Sequence, residues 1–476
     1  MAQLKKIDEY RWEIERYGDM NVPGRIYASD ALIGDILRDR APEQVANVGC
    51  LPGIVGASLA MPDIHWGYGF PIGGVAAFDY QDGVVSPGGV GYDINCGVRL
   101  MRTDVQHDQA RDRIRDLISR LYRKIPSGVG ASGSVTLSKQ SERQVLIRGA
   151  HWAVENGFGI PEDVEYIEEN GCMSNADPST VSRRALERGR PQLGTLGSGN
   201  HFIEIGYVET IYDRISAEAM DITEGTVTVS IHSGSRGLGY QVCDDSIGIM
   251  VKAAARYGIH LPDRQLCCAP VQSAEGRDYL GAMFAAVNYA FANRQIMAHG
   301  VRSVFNEVFG ERTAHVRTVY EVAHNIAKIE NHEYEGKNRT LCVHRKGATR
   351  AFPPGSPHIP LRYRHVGQPV LVPGDMGTNS YILVGKQGAM SETFGSACHG
   401  AGRVLSRKRA VKQSRGRSIP EELAQAGIYV MAAGRRTLQE EMPEAYKDVS
   451  NVVDAVTGAG LCAKVARLKP IGCLKG

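Results

Sequence analysis

The pattern of apolar and polar positions along the chain predicts both helices and strands. Apolar residues recur at helical spacing after position 30, again from 108 to 124, and over a longer and more continuously apolar stretch from 275 to 308. The first two patterns predict amphipathic helices, and the third predicts a long buried helix. In the first helix, which Asp30 is positioned to cap, the predicted apolar stripe comprises Leu32, Ile33, Ile36 and Leu37.

Short β-rich runs lie between these helices. The predicted strands are 74–78, 98–101, 226–231, 319–323 and 370–372. Glycines at 128, 130 and 133 satisfy a dinucleotide-binding pattern, but no buried strand precedes them, so we assign no nucleotide site there. No repeat or long linker divides the chain, and residues with candidate chemistry extend from 63 to 475. We therefore predict one large α+β catalytic domain over 1–476.

Composition excludes several classes of protein. Lys and Arg total 55 against 52 Asp and Glu, and this net charge of +3 excludes a histone-like polycation. The ten cysteines contain no CxxC pair and lack the dense spacing of a disulfide scaffold, so a functional cysteine would act as a single thiolate. The chain shows no apolar leader and no apolar run of bilayer length, which predicts a cytoplasmic protein without a membrane span.

A glycine-rich turn from 88 to 97 carries two metal-ligand types. Asp93 and Cys96 lie three positions apart in it, so both side chains can face one ion. A carboxylate with a thiolate suits a borderline divalent cation. The alternative is a buried structural cysteine beside a turn aspartate.

Three histidines lie at glycine loops or strand ends. His201 follows the glycine loop 194–199 and precedes Glu204, while His232 and His324 each end a predicted strand. Backbone amides in such a loop can hold a phosphate, and a nearby Asn or Glu can contact a base or ribose. Each histidine taken alone also fits a structural role.

His399 stands before Gly-Ala-Gly-Arg and a predicted helix start. A helix N-terminus favours a phosphate group, so His399 could be a base, a metal ligand, a nucleophile or a turn residue without a role. Basic residues follow it at 403, 407–409, 412, 415 and 417, with a smaller group at 183–190. A solvated face explains such runs, but beside a phosphate-handling loop a nucleic-acid track is the better interpretation.

In combination, these segments resemble the RtcB family of RNA-splicing ligases. The resemblance covers nearly the whole chain, and the number and order of its short motifs argue against chance agreement. It rests on the segments 61–74, 91–97, 197–202, 232–237, 324–328, 344–350, 398–403 and 469–476.

The resemblance implies a ligase that joins RNA 3′-phosphate or 2′,3′-cyclic phosphate ends to 5′-hydroxyl ends, in tRNA splicing or RNA repair. It implies GTP as cosubstrate, two Mn²⁺ per chain, and mixed sheets around a central dinuclear metal site. The activator archease is a candidate partner, and the resemblance leaves open whether it is needed.

The resemblance also carries roles onto individual residues. His399 matches the family's guanylated histidine, and Arg236 and Arg403 match positions suited to the RNA phosphate. The implied metal ligands are Asp93, Cys96 and His201 for one ion, and Cys96 (bridging), His232 and His324 for the other. The implied GTP contacts are Asn200, His201, Phe202, Ile203, Glu204, His324, Asn325, Pro373, Gly374, Asp375, Met376, Ser380, His399, Gly400, Ala401, Gly402 and Lys475.

Two other functions fit the same residues. A dinuclear metal phosphoesterase acting on RNA ends would use the metal ligands without His399 or GTP, and a non-catalytic RNA-binding protein would hold structural metals. Within the family pattern, Asp375 stands where many members are expected to carry Ser. A Cys, His and Asp donor set also intrinsically favours Zn²⁺ over Mn²⁺.

Overall fold

A computed structural model describes residues 4–476 of the protein. Its strands are β1 Leu4–Lys6, β2 Arg11–Ile14, β3 Gly24–Tyr27, β4 Ile54–His65, β5 Ile72–Asp79, β6 Val84–Val85, β7 Gly97–Gln106, β8 Phe202–Ile211, β9 Thr226–Ser233, β10 Ala269–Pro270, β11 Arg317–Ala323, β12 Asn325–Tyr334, β13 Lys337–Lys346, β14 Ala348–Arg350, β15 Pro369–Val372, β16 Ser380–Gly385, β17 Ser396–Cys398, β18 Tyr429–Ala432 and β19 Cys462–Lys475.

The helices lie between and after these strands. They are α1 Asp30–Arg38, α2 Ala41–Val48, α3 His107–Lys124, α4 Lys139–Arg148, α5 Ala150–Glu155, α6 Arg183–Gly189, α7 Arg214–Ala219, α8 Arg236–Arg256, α9 Ala274–Phe309, α10 Glu311–Ala314, α11 Gln387–Thr393, α12 Arg407–Gln413, α13 Ile419–Gln425, α14 Arg435–Glu440 and α15 Val449–Gly458.

Two large mixed sheets organise the protein. One has the strand order β1-β2-β3-β4-β5-β13-β12, and β3 runs parallel to β4 within it. The other has the order β11-β7-β9-β8-β19-β16-β15, with β18 added in parallel beside β19. The remaining pairings in both sheets are antiparallel. The predicted α+β class with mixed sheets is therefore confirmed.

Helix α9 lies in the protein interior. Its residues from Tyr279 to Ala298 are buried without interruption, and it packs against α3, α4, α5 and α8. Many of these residues are Ala or Gly, and such small side chains let neighbouring elements approach closely on several sides. The long buried helix predicted over 275–308 is confirmed.

Helix α1 differs in detail from its prediction. Its N-cap is Ser29, and Asp30 is the first helical residue, where its negative charge faces the positive helix end. Leu32, Ile33 and Ile36 are buried as predicted, but the prediction for Leu37 is wrong because that side chain is 55% exposed. Within residues 4–476, no helix combines the length and apolar character needed to cross a bilayer.

The second sheet determines where the candidate site forms. Residue Gly97 at the start of β7 pairs with Ser233 at the end of β9 and with Ala323 at the end of β11. Phe202 at the start of β8 pairs with His232. Because neighbouring strands are antiparallel, the starts of β7 and β8 and the ends of β9 and β11 lie at the same end of the strands.

Candidate active site

Five side chains converge at this end of the strands and form two overlapping sets of metal-ligand atoms. One set comprises Cys96, His232 and His324, and the other comprises Asp93, Cys96 and His201; within each set the ligand atoms lie within 4.8 Å of one another. Cys96 Sγ lies 3.3 Å from His201 Nε2 and 3.1 Å from His232 Nε2. All the sequence-predicted metal ligands are thus brought together, and the one thiol belongs to both sets.

The chemical state of these side chains suits cation binding. Burial lowers the pKa of His232 and His324 well below 6.5, so both rings are neutral and keep a lone pair. Burial raises the pKa of the Cys96 thiol well above 9.0, so a thiolate there requires a nearby positive charge. Asp93 Oδ1 is buried and has no hydrogen-bond partner among residues 4–476. These groups fit two divalent cations that share Cys96.

His399 lies beside the metal-ligand sets and is held by a buried carboxylate. Its ring centroid is 4.8 Å from that of His324. Asp63 Oδ2 accepts a hydrogen bond from the His399 backbone N–H at 3.0 Å and lies 2.6 Å from the ring Nδ1. When Nδ1–H donates to this carboxylate, the lone pair on Nε2 remains free, which is the tautomer that a nucleophile needs.

A buried lysine supports the segment that carries Asp63. Lys447 Nζ donates to the carbonyl of Pro62 at 2.9 Å and to the carbonyl of Ile64 at 2.6 Å. Burial lowers the pKa of Lys447 to about 8. Asp63 lies in the segment 61–74 that carries the family resemblance, but it received no predicted role, because its partner His399 stands 336 positions away in the chain. Lys447 belongs to no motif, and its partner Pro62 stands 385 positions away.

For the guanylated histidine that the family resemblance implies at His399, we expect Asp63→Asn to slow nucleotide transfer to the protein by about 10²-fold or more, because the neutral amide no longer stabilises the required His399 tautomer. Single-turnover labelling with α-phosphate-labelled GTP measures this rate. Asp79→Asn, an equally small change on β5 away from His399, serves as the control. An Asp63→Asn protein that labels within threefold of the wild-type rate would contradict the assigned role.

The metal-ligand sets and His399 open into one cavity of about 750 Å³. This volume lies within the range of small-molecule sites and is sufficient for a nucleotide. Besides His399 and the metal ligands Asp93, Cys96, His232 and His324, the sequence-predicted residues that line it are Asn200, Phe202, Glu204, Asn325, Pro373, Gly374, Asp375, Met376, Gly400, Ala401, Gly402, Arg403 and Lys475.

Glu204 and Phe202 provide two different kinds of contact in this cavity. Ser380 Oγ donates to Glu204 Oε1 at 3.2 Å, and burial raises the pKa of Glu204 to about 7. A carboxylate accepts hydrogen bonds from two N–H groups at once, and the edge of guanine presents such a pair. The ammonium group of Lys475 lies 5.2 Å from the centre of the Phe202 ring, so an aromatic face and a cation stand together.

Four predicted residues do not line the cavity directly. Ile203 is buried in the apolar core on the opposite face of β8, because successive residues of a strand alternate sides. Only its backbone remains for a ligand contact. Ser380 acts through Glu204, and the His201 ring reaches the second metal-ligand set. Arg236 lies behind His201.

The two arginines predicted to meet the RNA phosphate have different surroundings. Arg236 Nη1 lies 2.8 Å from His201 Nδ1, and Arg236 Nε is buried without a partner among the described residues. Arg403 donates to Glu441 Oε2 at 3.0 Å and to the Tyr446 hydroxyl at 3.1 Å. The unpaired donor of Arg236 is thus buried and does not open into the cavity, whereas Arg403 lines the cavity with donors that protein acceptors already occupy.

The Asp375 carboxylate accepts hydrogen bonds from its own turn, residues 375–378. One carboxylate oxygen accepts from the Gly377 N–H at 2.8 Å, and the other accepts from the Thr378 hydroxyl at 2.8 Å. Burial raises the pKa of this carboxyl group. Both oxygens already have partners in the turn, so Glu204 is the better placed carboxylate for a nucleotide base.

Comparisons with known proteins place the chain in a family. The family model described as tRNA-splicing ligase RtcB matches residues 44–476. The tRNA-splicing ligase RtcB of Thermococcus kodakarensis is 55% identical, with 100% of this chain and 99% of that protein covered. That of Archaeoglobus fulgidus is 54% identical with 99% of each covered. The RNA-splicing ligase RtcB of Mycobacterium tuberculosis is 52% identical, with 91% of this chain and 100% of that protein covered.

Proposed function

The chain belongs to the tRNA-splicing ligase RtcB family, and we infer from this membership and from the site that it is an RNA ligase. We propose that it joins RNA ends bearing a 3′-phosphate or a 2′,3′-cyclic phosphate to 5′-hydroxyl ends. GTP is the proposed cosubstrate, and a GMP–His399 adduct is the proposed intermediate. By the names of its relatives, the RNA is proposed to be cleaved tRNA or other broken RNA.

A 2′,3′-cyclic phosphate end is first hydrolysed by water, which breaks the P–O2′ bond and leaves a 3′-phosphate and a 2′-hydroxyl. From the 3′-phosphate, the proposed reaction has three transfers. His399 Nε2 attacks the α-phosphate of GTP, forming a P–N bond as the bond to pyrophosphate breaks. An oxygen of the RNA 3′-phosphate then displaces the histidine and takes the GMP. Finally, the RNA 5′-hydroxyl attacks the activated 3′-phosphate, losing its proton, and GMP leaves with the electron pair. Two bound Mn²⁺ ions would neutralise phosphate charge during these transfers.

The observation that carries this proposal is the convergence of His399 with both metal-ligand sets in one cavity. The His399 ring stands 4.8 Å from the His324 ring, and Asp63 leaves its Nε2 free. A metal phosphoesterase requires the metal ligands but no nucleophilic histidine. Such an enzyme would also have no use for the buried Glu204 in the cavity wall.

Labelling of the protein by GTP tests the proposal. The protein is incubated with Mn²⁺ and α-phosphate-labelled GTP, then given RNA with 3′-phosphate and 5′-hydroxyl ends. We expect an acid-labile, alkali-stable label on the protein, followed by its loss as joined RNA forms. Removal of the RNA 3′-phosphate without labelling or joining would instead identify a phosphoesterase.

We expect GMP affinity to fall as the pH drops through about 7, where Glu204 titrates. The ionised form accepts the guanine N–H groups and the protonated form accepts them poorly, so affinity falls by up to about tenfold per pH unit below this value. Calorimetric titration with GMP between pH 6 and 8 measures the slope. Glu204→Gln is expected to bind more weakly and to lose this part of the slope, while the titration of GMP itself remains as an internal reference. An unchanged slope in Glu204→Gln would contradict the role of Glu204.

The wider setting of the reaction is also proposed. The Cys96 thiol has to stay reduced, and all ten cysteines are free, which favours the cytoplasm. The whole span 1–476 is proposed as one catalytic domain. Archease is the proposed activator, and ligation rates measured with and without it test that partnership.

A further inference from the structure

A single buried arginine connects the segments that carry the metal ligands. We infer that Arg294 is a positioning residue that holds the Asp93–Cys96 turn and the His232 strand end in the geometry that binds two cations. This inference rests on the proposed function, because it presumes that the two ligand sets hold metal ions.

The hydrogen bonds of Arg294 reach both segments at once. Its Nη1 donates to the backbone carbonyl of Asn95 at 2.7 Å and to the backbone carbonyl of Ser233 at 2.7 Å. Asn95 immediately precedes Cys96, and Ser233 immediately follows His232. The side chain of Arg294 is fully buried, and Glu321 Oε1 accepts from its Nε at 2.8 Å. One guanidinium thus fixes the spacing of two ligand-bearing backbones.

Asn95 connects Arg294 to a third ligand-bearing segment, the one that contains His324. Arg294 Nη2 donates to Asn95 Oδ1 at 3.1 Å, and the Asn95 backbone N–H donates to the carbonyl of Asn325 at 2.8 Å. Asn325 follows the ligand His324. Asn95 also has a φ of +52°, a left-handed conformation that Asn tolerates better than most residues. The hydrogen bonds of Asn95, together with the tolerance of Asn for this conformation, therefore stabilise the turn.

Arg99 provides a comparison within the same buried charge cluster. It pairs with the other oxygen of Glu321, is also fully buried, and donates to Gln295 Oε1 at 2.6 Å. None of its hydrogen bonds in the described residues reaches a ligand-bearing turn. Loss of Arg99 should therefore disturb the cluster without moving the metal ligands. Comparing a variant of Arg294 with the same variant of Arg99 therefore separates a positioning effect on the metal ligands from general destabilisation of the protein.

Cobalt binding tests the inference without relying on ligation. Each purified full-length protein is titrated with Co²⁺, and the thiolate-to-cobalt absorption and the ligand-field bands are recorded together with competition by Mn²⁺. A lysine at 294 retains the charge, but its single nitrogen cannot make the contacts of Nη1, Nη2 and Nε together, so we expect Arg294→Lys to bind 10–100-fold more weakly, as loss of an outer-shell contact typically does. Its cobalt bands should shift. Arg99→Lys should bind within about threefold of wild type, with unshifted bands.

Equal loss of affinity in Arg294→Lys and Arg99→Lys would overturn the inference. If Arg294→Lys does not fold, Asn95→Gly decides, because glycine adopts the left-handed conformation easily and removes only the side-chain contacts. A several-fold loss of Co²⁺ affinity in Asn95→Gly supports the inference, and unchanged affinity overturns it. Failure of the wild-type protein to bind Co²⁺ or Mn²⁺ would instead overturn the proposed metal site itself.

Discussion

His399→Ala is expected to lose covalent labelling by GTP and to lower RNA joining by at least about 10³-fold, because no other group takes over an absent nucleophile. In the structure, Asp63 orients the His399 ring, and the ring stands next to His324 at the metal-ligand sets. Metal binding should persist, because His399 belongs to neither ligand set. Gel detection of the labelled protein and of joined RNA measures both effects.

His358→Ala is the matched control for this experiment. His358 lies outside the cavity and both ligand sets, so its replacement should leave labelling intact. A second assay begins with RNA whose 3′ end already carries the GMP. His399→Ala should join this RNA, since the histidine has no part in the last transfer. Labelling that survives in His399→Ala would place the adduct on another residue.

Cys96→Ala is expected to remove both metal ions, whereas His232→Ala should remove chiefly one. The reason is that Cys96 Sγ belongs to both ligand sets and His232 to one. Elemental analysis of the dialysed proteins gives the metal content per chain, and calorimetry gives the affinities. RNA joining should be undetectable in Cys96→Ala.

Cys473→Ala controls for the loss of a thiol from the cavity wall. Cys473 is buried, lines the same cavity and lies outside both ligand sets. Its replacement should keep the full metal content. Equal metal loss in Cys96→Ala and His232→Ala would argue against a shared thiolate, and metal loss in Cys473→Ala would point to general damage of the cavity.

Much of the fold was predictable because helical and strand periodicity is local. The continuous apolar stretch from 275 to 308 predicts helix α9. The β-rich runs before His232 and His324 predict that both residues lie at strand ends. The detailed errors are also local. Leu37 continues an apolar spacing, but its side of α1 has no neighbour and faces solvent.

The site was predictable only as a set of candidate ligands. Arg294 belongs to no motif, and Asp63 lies in the segment 61–74 without a predicted role; the roles of both arise from partners far away in the sequence. The pairing of β7 with β9 brings Asn95 and Ser233 together beside Arg294, whereas Asp63 on β4 meets His399 just after β17. Ile203 shows that a family match can also assign too much. Its position matches a family nucleotide contact, but its side chain faces the apolar core.

The shared thiol of Cys96 has a consequence for the lifetime of the protein. Its partners His201, His232 and His324 lie just before β8, near the end of β9 and just after β11, and they meet only after the sheet has formed. The unfolded chain does not hold these donors together, so a metal ion at this site would bind the folded form preferentially. Free metal at 100 times its dissociation constant then adds about 2.7 kcal/mol to the free energy of unfolding. Metal supply in the cell would govern how long each molecule survives, in addition to how fast it works.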